Sequence, residues 1–226
     1  MDFSSAQVQE MVAAVLESEQ LPPIVQAGHP VLRSPAQPLD GQLSAAELAA
    51  LTELMRRVMH AAPGVGLAAP QIGIPLQLAV LEDLHQVDAD VAAVRQRAPL
   101  PFLAIINPRY EPLADATGFF YEGCLSISGW QAVVERPLQV SLDYYDQSGV
   151  ARSAEFSGWS ARIVQHETDH LAGTLYIDKA LTRSLACDYE YGKRWAQPGI
   201  DVAQTGLGFQ TGLGFHAGRS GARRGH

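Results

Sequence analysis

Two histidines and a glutamate in one short segment have the types and spacing of a metal-dependent hydrolytic site. His166 and His170 are four residues apart in the pentapeptide HETDH. On an α-helix that separation is about 400° of rotation and about 6 Å of rise, so both imidazoles leave one face and can share a metal ion. Glu167 is displaced by about 100° from His166, where a carboxylate can take a proton from water without being a ligand. The segment predicts a metal hydrolase, against the alternative of two histidines that share this spacing by chance.

A catalytic metal needs a third protein ligand besides the two histidines, with one position left for water. Cys124, in YEGCLSI, offers a thiolate, although a single cysteine is more often a small buried apolar side chain, the interpretation kept for Cys187. Asp169 either orients a neighbouring group or is a solvated helix charge. The remaining candidates lie downstream, outside any ligand motif: Asp178, Asp188, Glu190, His216 and His226. The residues alone leave the third ligand open.

A glycine-rich segment, GVGLAAPQIG at residues 64–73, is the third feature that could take part in chemistry. No lysine follows its glycines and no strand is evident before it, which disfavours a phosphate-binding loop. Glycine lets a substrate backbone approach closely, and the amide of Gln71 can donate a hydrogen bond to a carbonyl group. Taken alone, the segment is typical of an ordinary helix-to-strand turn.

Hydrophobic periodicity predicts helices near both ends of the chain and strands between them. The helices are expected over residues 5–19, 44–60 and 158–171. Short apolar or alternating runs predict strands at residues 76–81, 102–106, 131–135, 138–145 and 150–156. Turns are expected at Asn107-Pro108 and at residues 146–149. Helices grouped around hairpin-linked strands predict the α+β class.

The composition suits one globular domain with a real core. Of 226 residues, 47% are hydrophobic, and the net charge of −8 repels phosphate backbones, so DNA is not an expected partner. The two cysteines do not make a disulfide framework, and a reducing compartment is the simpler interpretation. The N-terminal segment lacks the basic start of a signal peptide, and no apolar run reaches the roughly 20 residues of a membrane helix. We therefore expect a cytoplasmic protein without membrane contact.

The C-terminal segment differs in composition from the rest. TGLGFQ at residues 205–210 is repeated at once as TGLGFH at residues 211–216. After Asp201 there is no acidic residue, and Arg219, Arg223 and Arg224 follow. The segment predicts a low-complexity, disordered tail. A basic tail that touches ribosomal RNA is the disfavoured alternative, because the tail carries so few charges.

In chain order, the segments GVGLAAPQIG, EGCLSI and QHETDHLAGTLYID resemble the peptide deformylase family. IVQAGHPVLR at residues 24–33 is also similar to that family, and the resemblance runs from about Ile24 to Lys179. The chain therefore divides into a catalytic domain (21–185) that resembles the family and two parts outside the resemblance. These are an N-terminal helical extension (1–20) and a low-complexity, Gly-rich tail (186–226) that is expected to be disordered. The implied fold is α+β, with small mixed or antiparallel sheets packed around a central helix that bears HExxH.

The resemblance implies a bacterial-type enzyme that removes the formyl group from formyl-methionine at the start of newly made polypeptides and releases formate. It implies one divalent metal ion per chain, natively Fe(II), with zinc, nickel or cobalt also able to occupy the site. The metal ligands would be Cys124, His166 and His170. The positions that contact the substrate backbone and the methionine pocket would be Gly66, Val65, Trp159 and Ile163.

The implied mechanism assigns three further groups. Glu167 would accept a proton from a water activated by the metal and later return it to the leaving amine. Gln71 and the backbone N–H of Leu125 would bind the formyl oxygen. Ser128 stands where many relatives have proline, a departure that touches no ligand. The alternative functions are an HExxH metallopeptidase and an inactive homologue bound to the ribosome. If the chain is an active deformylase, the ribosomal exit tunnel is a candidate location for it.

Overall fold

The computed structural model describes residues 3–211 and has the mixed helix and antiparallel-strand composition of the predicted α+β class. The helices are α1 (Ser5–Glu17), α2 (Ala45–Ala61), α3 (Ala89–Arg95), α4 (Gly158–Leu171), α5 (Tyr176–Lys179), α6 (Asp188–Glu190) and α7 (Asp201–Leu207). The strands are β1 (Gly66–Ala68), β2 (Leu78–Asp83), β3 (Leu100–Pro112), β4 (Thr117–Cys124), β5 (Ile127–Pro137), β6 (Gln139–Tyr145), β7 (Ala151–Ser157) and β8 (Ala186–Cys187). Within residues 3–211, no helix is both long and apolar enough to cross a membrane.

The strands form two sheets, and every strand pair within them is antiparallel. The larger sheet has the order β1-β2-β3-β6-β7, and the smaller sheet has the order β4-β5-β8. β1 and β4 each pair with a neighbour on one side only, so each has an edge with unpaired backbone groups.

Helix α4 packs against strands of both sheets and covers the predicted residues 158–171. Its side chains Ala161, Val164 and Leu171 are buried in one cluster with Leu81 of β2 and Leu142 of β6. Full burial of each large aliphatic side chain stabilises the fold by about 1.5–3 kcal/mol. The apolar residues of α4 therefore fix the position of its histidines relative to both sheets.

The N-terminal helix α1 shares the main core. Ser4 caps it, and its side-chain oxygen accepts a hydrogen bond from the backbone N–H of Gln7. Val8 and Val12 are each 1% exposed, in one cluster with Leu51 of α2. Because α1 buries two valines against α2, it stabilises the same core as the residues that follow position 20.

The predicted turn at Asn107-Pro108 is wrong, because both residues lie inside β3. The register between β3 and β6 shifts between Ile106 and Arg109, which marks a β-bulge. Asn107 has a φ of 50°, in the left-handed region that asparagine tolerates. Its side chain is bonded to both the N–H and the carbonyl of Leu39. The dipeptide bends a strand instead of reversing the chain.

Strands β1 and β4 are additions to the predicted pattern. The segment expected to be an ordinary turn contains β1, followed by a 3-10 helix over Ala69–Ile72. β4 pairs with β5 over its full length, from Thr117 opposite Pro137 to Cys124 opposite Ile127. Both strands bound the cleft that is described below.

The prediction of a disordered tail from residue 186 is wrong for residues 186–211, here called the C-terminal segment. It contains β8, α6 and α7, and a π-helical turn lies at Tyr191–Trp195. Ala203 and Phe209 are buried against Tyr121 and Val133 of the small sheet. These apolar contacts order the segment, because they remove enough apolar surface from water to offset its chain entropy. The rest of the predicted tail, residues 212–226, lies outside the described residues.

Candidate metal centre and substrate cleft

Three side chains with metal-binding atoms converge in the interior. Cys124, His166 and His170 each offer one ligand atom, and these atoms lie within 4.8 Å of one another. The Sγ atom of Cys124 is 3.2 Å from Nε2 of His170. One thiolate and two imidazole nitrogens at this spacing fit a divalent transition metal, since zinc, for example, binds such atoms at about 2.0–2.3 Å. We call these three residues the ligand group.

The other third-ligand candidates are not part of the ligand group. Three downstream acids, Asp178, Asp188 and Glu190, are instead bonded to Arg33, Gln131 and Arg194 respectively. His216 and His226 lie outside the described residues. Among residues 3–211, Cys124 is therefore the side chain that joins the two histidines.

Strand β4 places Cys124 beside α4 through the alternation of its side chains. Residues two apart on a strand share a face, and Glu122 and Cys124 both face α4. The Oε2 atom of Glu122 lies 2.9 Å from Nδ1 of His166. This contact holds the ring of His166 and leaves its Nε2 for the ligand group, as carboxylates do for many metal-binding histidines.

A set of largely buried ion pairs lies next to His166, and we call it the ion-pair layer: Glu122, Arg136, Arg162, Asp169 and, at its exposed edge, Lys179. Arg136 bonds to Glu122 at 2.6 Å and to Asp169 at 2.7 Å. Arg162 bonds to Glu122 at 2.5 Å, and Lys179 bonds to Asp169 at 2.7 Å. Burial alone would raise the pKa of Glu122, but the charge of Arg136 and its hydrogen bonds outweigh burial and hold that pKa well below its usual range. The carboxylate beside His166 therefore stays ionised.

Asp169 belongs to this layer and is not a solvated charge. It is 7% exposed, and it accepts hydrogen bonds from Arg136, Lys179 and the hydroxyl of Tyr110. Of the two interpretations left open for this residue, the structure supports the one in which it fixes its neighbours.

Glu167 lies beside the ligand group and faces strand β1. Its side chain is buried, and burial raises the pKa of its carboxyl to about 7. A Cβ atom added to Gly66 would lie 2.2 Å from Oε1 of Glu167, so a glycine is needed at that position. Within the described residues, Oε2 of Glu167 has no hydrogen-bond partner. A buried carboxyl with a near-neutral pKa and a free oxygen is suited to proton transfer.

Gln71 points its amide toward the ligand group from the 3-10 helix after β1. Its Oε1 accepts a hydrogen bond from the backbone N–H of Ala68 at 2.8 Å, which orients the amide. Its Nε2 then lies 3.2 Å from Oγ of Ser126 and 3.7 Å from Sγ of Cys124. A donor beside Sγ of Cys124 is well placed for a substrate oxygen. Leu125, directly after Cys124, lines the same cleft.

The cleft beside the ligand group has a volume of about 860 Å³ and lies between the edges of β1 and β4. A Cβ atom on Gly64 would lie 2.8 Å from Cδ1 of Leu125, which shows how closely the two walls approach. The predicted substrate-contacting residues all line this cleft: Val65, Gly66, Trp159 and Ile163. The cleft thus brings together three segments that are far apart in sequence: residues 64–73, residues 121–127 and helix α4.

Sequence reasoning does not identify Glu122 or its arginine partners as part of the site. The signal for Glu122 is its position two residues before Cys124, which places both on one face once the segment is known to be a strand. Arg136 and Arg162 give no comparable signal, because their partners are set by the packing of β5 and α4 against β4.

Comparison with known proteins identifies the family. The sequence model of the polypeptide deformylase family matches residues 21–185. "Peptide deformylase 3" of Streptomyces avermitilis is 54% identical over 187 residues, which covers 83% of this chain and 84% of the relative. "Peptide deformylase 1" of Streptomyces coelicolor is 52% identical over 188 residues, which covers 83% and 86%.

Solved structures agree with the sequence relatives. The crystal structure of a class I type b peptide deformylase from Acinetobacter baumannii with Met-Ala-Ser bound has a TM-score of 0.64 and 27% identity, and the match covers 72% of this chain and 99% of that chain. These findings favour the deformylase function over the HExxH metallopeptidase and over the inactive homologue. The chain belongs to the polypeptide deformylase family, and it is a metal-dependent hydrolase that removes the N-formyl group from formyl-methionine at the start of newly made polypeptides.

Proposed function

We propose that Cys124, His166 and His170 hold the metal ion of this deformylase. The observation that carries the proposal is the convergence of one thiol and two imidazoles, from two different elements, within 4.8 Å. The family is metal-dependent, and a donor set of this kind suits Fe(II), zinc, nickel or cobalt. We propose Fe(II) as the native metal. When bound, the metal acts as a Lewis acid that polarises the formyl carbonyl and acidifies water.

Glu167 is the proposed proton carrier. Its carboxylate takes a proton from the attacking water, whose oxygen forms a bond to the formyl carbon. As the C–N bond breaks, the same carboxyl gives its proton to the departing amide nitrogen, so that formate and a free amine leave. The buried position of Glu167 and its unpartnered Oε2 support this assignment.

Gln71 and the backbone N–H of Leu125 are the proposed donors to the formyl oxygen. Negative charge develops on that oxygen when water attacks, and donors that are already oriented stabilise it without reorganisation. The bond from Ala68 N–H to Oε1 supports this role, because it leaves the Nε2 donor of Gln71 facing the cleft.

The formyl-methionine substrate is proposed to enter the cleft as an extended strand. The edges of β1 and β4 offer unpaired backbone groups on both sides, and edge strands commonly bind peptides in this way. Gly66 then allows the peptide backbone to approach, while Val65, Trp159 and Ile163 contact the methionine side chain. The bound Met-Ala-Ser of the Acinetobacter baumannii relative has the sequence that deformylation of formyl-Met-Ala-Ser would leave.

The cellular setting follows from the substrate class. Formyl-methionine begins new chains, so we propose that the enzyme works in the cytoplasm on nascent polypeptides, near the exit tunnel of the ribosome. We further propose that residues 21–185 form the catalytic domain and that residues 1–20 extend it.

A formate-release assay tests the proposed chemistry. Protein loaded with Fe(II) should release formate from formyl-Met-Ala-Ser, and a chelator should stop release until metal is restored. The same peptide with an acetyl group in place of formyl is the matched control and should be a much poorer substrate. Absence of formate from the Fe(II)-loaded protein would contradict the proposal.

A further inference from the structure

The C-terminal segment contributes to the substrate cleft, although it lies outside the region that the family model matches, residues 21–185. Asp188 of α6 and Tyr191 of the π-helical turn both line the cleft. Tyr191 packs on Tyr121 of β4, with ring centroids 4.9 Å apart. Residues that follow the matched region therefore form a wall that this region does not include.

The two faces of β4 border different parts of the cleft. On one face, Phe120 packs edge-on against Trp159 of α4, at 6.3 Å between centroids, and Glu122 and Cys124 contact the histidines of the same helix. On the other face, Tyr121 packs against the C-terminal segment. This division follows from the two-residue period of a strand.

A peptide bound along the edge of β4 must present its side chains to these two faces in turn. If the methionine side chain points toward Trp159 and Ile163 of α4, the next side chain points to the face of Tyr121 and the C-terminal segment. Gly123 has no side chain to fill that space, and a Cβ atom there would touch Gln131 at 3.4 Å. In that orientation, the second residue of the substrate would face Gln131 and its neighbours.

Asp188 supplies a free negative charge at this position. Its side chain is exposed, and it accepts a hydrogen bond from Nε2 of Gln131 at 3.2 Å. Among residues 3–211 it forms no ion pair. Arg95, a cation that also lines the cleft, lies over the ring of Trp159 and bonds to the carbonyl of Pro198. Arg95 is therefore on the Trp159 side of the cleft, and the unpaired charge beside Gln131 is the negative charge of Asp188.

We propose that Asp188, with Gln131 and Tyr191, forms a subsite that favours a lysine or arginine at the second position of the formyl-methionyl substrate. The Asp188 carboxylate attracts the cationic end, and the Tyr191 ring can pack against its alkyl chain. The proposal rests on the proposed function, because it uses the same cleft and the same peptide orientation.

The test is kcat/KM of the metal-loaded enzyme for formyl-Met-Lys-Ser, formyl-Met-Gln-Ser and formyl-Met-Glu-Ser. Because the Asp188 carboxylate is exposed, we expect kcat/KM for the lysine peptide to exceed kcat/KM for the glutamate peptide by about fivefold at low salt. The ratio should shrink at 1 M salt, where the screening length is about 3 Å. Asp188→Asn should bring the ratio close to one, and Asp188→Lys should invert it.

Glu190→Gln is the matched control, because Glu190 is on the same helix but does not line the cleft, and this variant should keep the wild-type ratio. Formyl-Met-Ser-Lys tests the strand alternation and should show no gain over formyl-Met-Ser-Gln. An active enzyme with equal kcat/KM for the lysine and glutamate peptides, or a lysine preference confined to the third position, would overturn the subsite alone. An enzyme that fails to deformylate formyl-Met-Ala-Ser would instead contradict the proposed function.

Discussion

The polar side chains of α4 that lie outside the ion-pair layer and the ion-pair layer itself are both largely buried, but they differ in how their polar atoms are satisfied. Among the described residues, four buried side-chain atoms lack a hydrogen-bond partner, and all four belong to α4: Trp159 Nε1, Glu167 Oε2, Thr168 Oγ1 and His170 Nδ1. In the ion-pair layer, both oxygens of Glu122 and both oxygens of Asp169 accept at least one hydrogen bond.

The contrast indicates two kinds of task. A buried polar atom without a partner costs about 1–3 kcal/mol, so a protein keeps such atoms where they serve a purpose. Glu167, with its free oxygen, can bond to water and substrate. Arg136, with bonds to two acids, can only hold its neighbours in place. The ligand group should therefore carry activity, while the ion-pair layer should carry stability and the orientation of His166.

Loss of the thiol is expected to have the largest effect. Cys124→Ala removes one of the three proposed ligands, so bound metal should fall well below one ion per chain and kcat/KM should fall by about 10³-fold or more. Metal analysis and formate release measure the two effects. Cys187→Ala removes the other free cysteine, which lies outside the ligand group, and should have the metal content and activity of the wild type. Full metal content and activity in Cys124→Ala would favour a third ligand elsewhere, as in a metallopeptidase.

Disruption of the ion-pair layer should affect folding. Arg136 is 2% exposed, and Arg136→Leu leaves Glu122 and Asp169 without their shared partner. Removal of one member of a buried pair costs about 3–5 kcal/mol, which a urea unfolding curve would detect. Lys179→Met is the control, since this lysine is 38% exposed and its loss should cost no more than about 1 kcal/mol. Equal losses for the two variants would remove the distinction between buried and peripheral members of the layer.

A smaller effect, on metal affinity, is expected when a member of the ion-pair layer that contacts the ligand group is changed. Glu122→Gln weakens the hold on Nδ1 of His166, and changes at such supporting carboxylates typically reduce metal affinity by about 10- to 100-fold. Competition with a chromogenic chelator measures this affinity. Glu135→Gln, an exposed acid on β5 that bonds to Thr117, should leave it unchanged. Wild-type metal affinity in Glu122→Gln would mean that the layer does not orient the ligand group.

The sequence predicts the parts of the site that depend on local spacing. The helix over residues 158–171 and the shared face of His166 and His170 follow from the helical period, which needs no tertiary information. The place of Cys124 depends on the long-range pairing of β4 with β5, so the residues alone leave the third ligand open, and only the family resemblance proposes Cys124. The contact of Glu122 with His166 cannot be predicted from the sequence for the same reason.

The errors also have physical causes. Asn107-Pro108 has the composition of a turn, but paired bonds to Leu39 hold it as a bulge. The C-terminal segment looks low in complexity, yet Phe209 and Ala203 find a partner surface on the small sheet. In both places, contacts with residues distant in sequence outweigh local composition.

Glu167→Gln tests the central claim most directly, because it changes the proposed proton carrier without removing a ligand. The variant should keep one metal ion per chain and lose about 10²- to 10⁴-fold in kcat for formyl-Met-Ala-Ser. Metal content and formate release should be measured on the same preparation. A metal-loaded variant that releases formate at a rate close to that of the wild type would contradict the account.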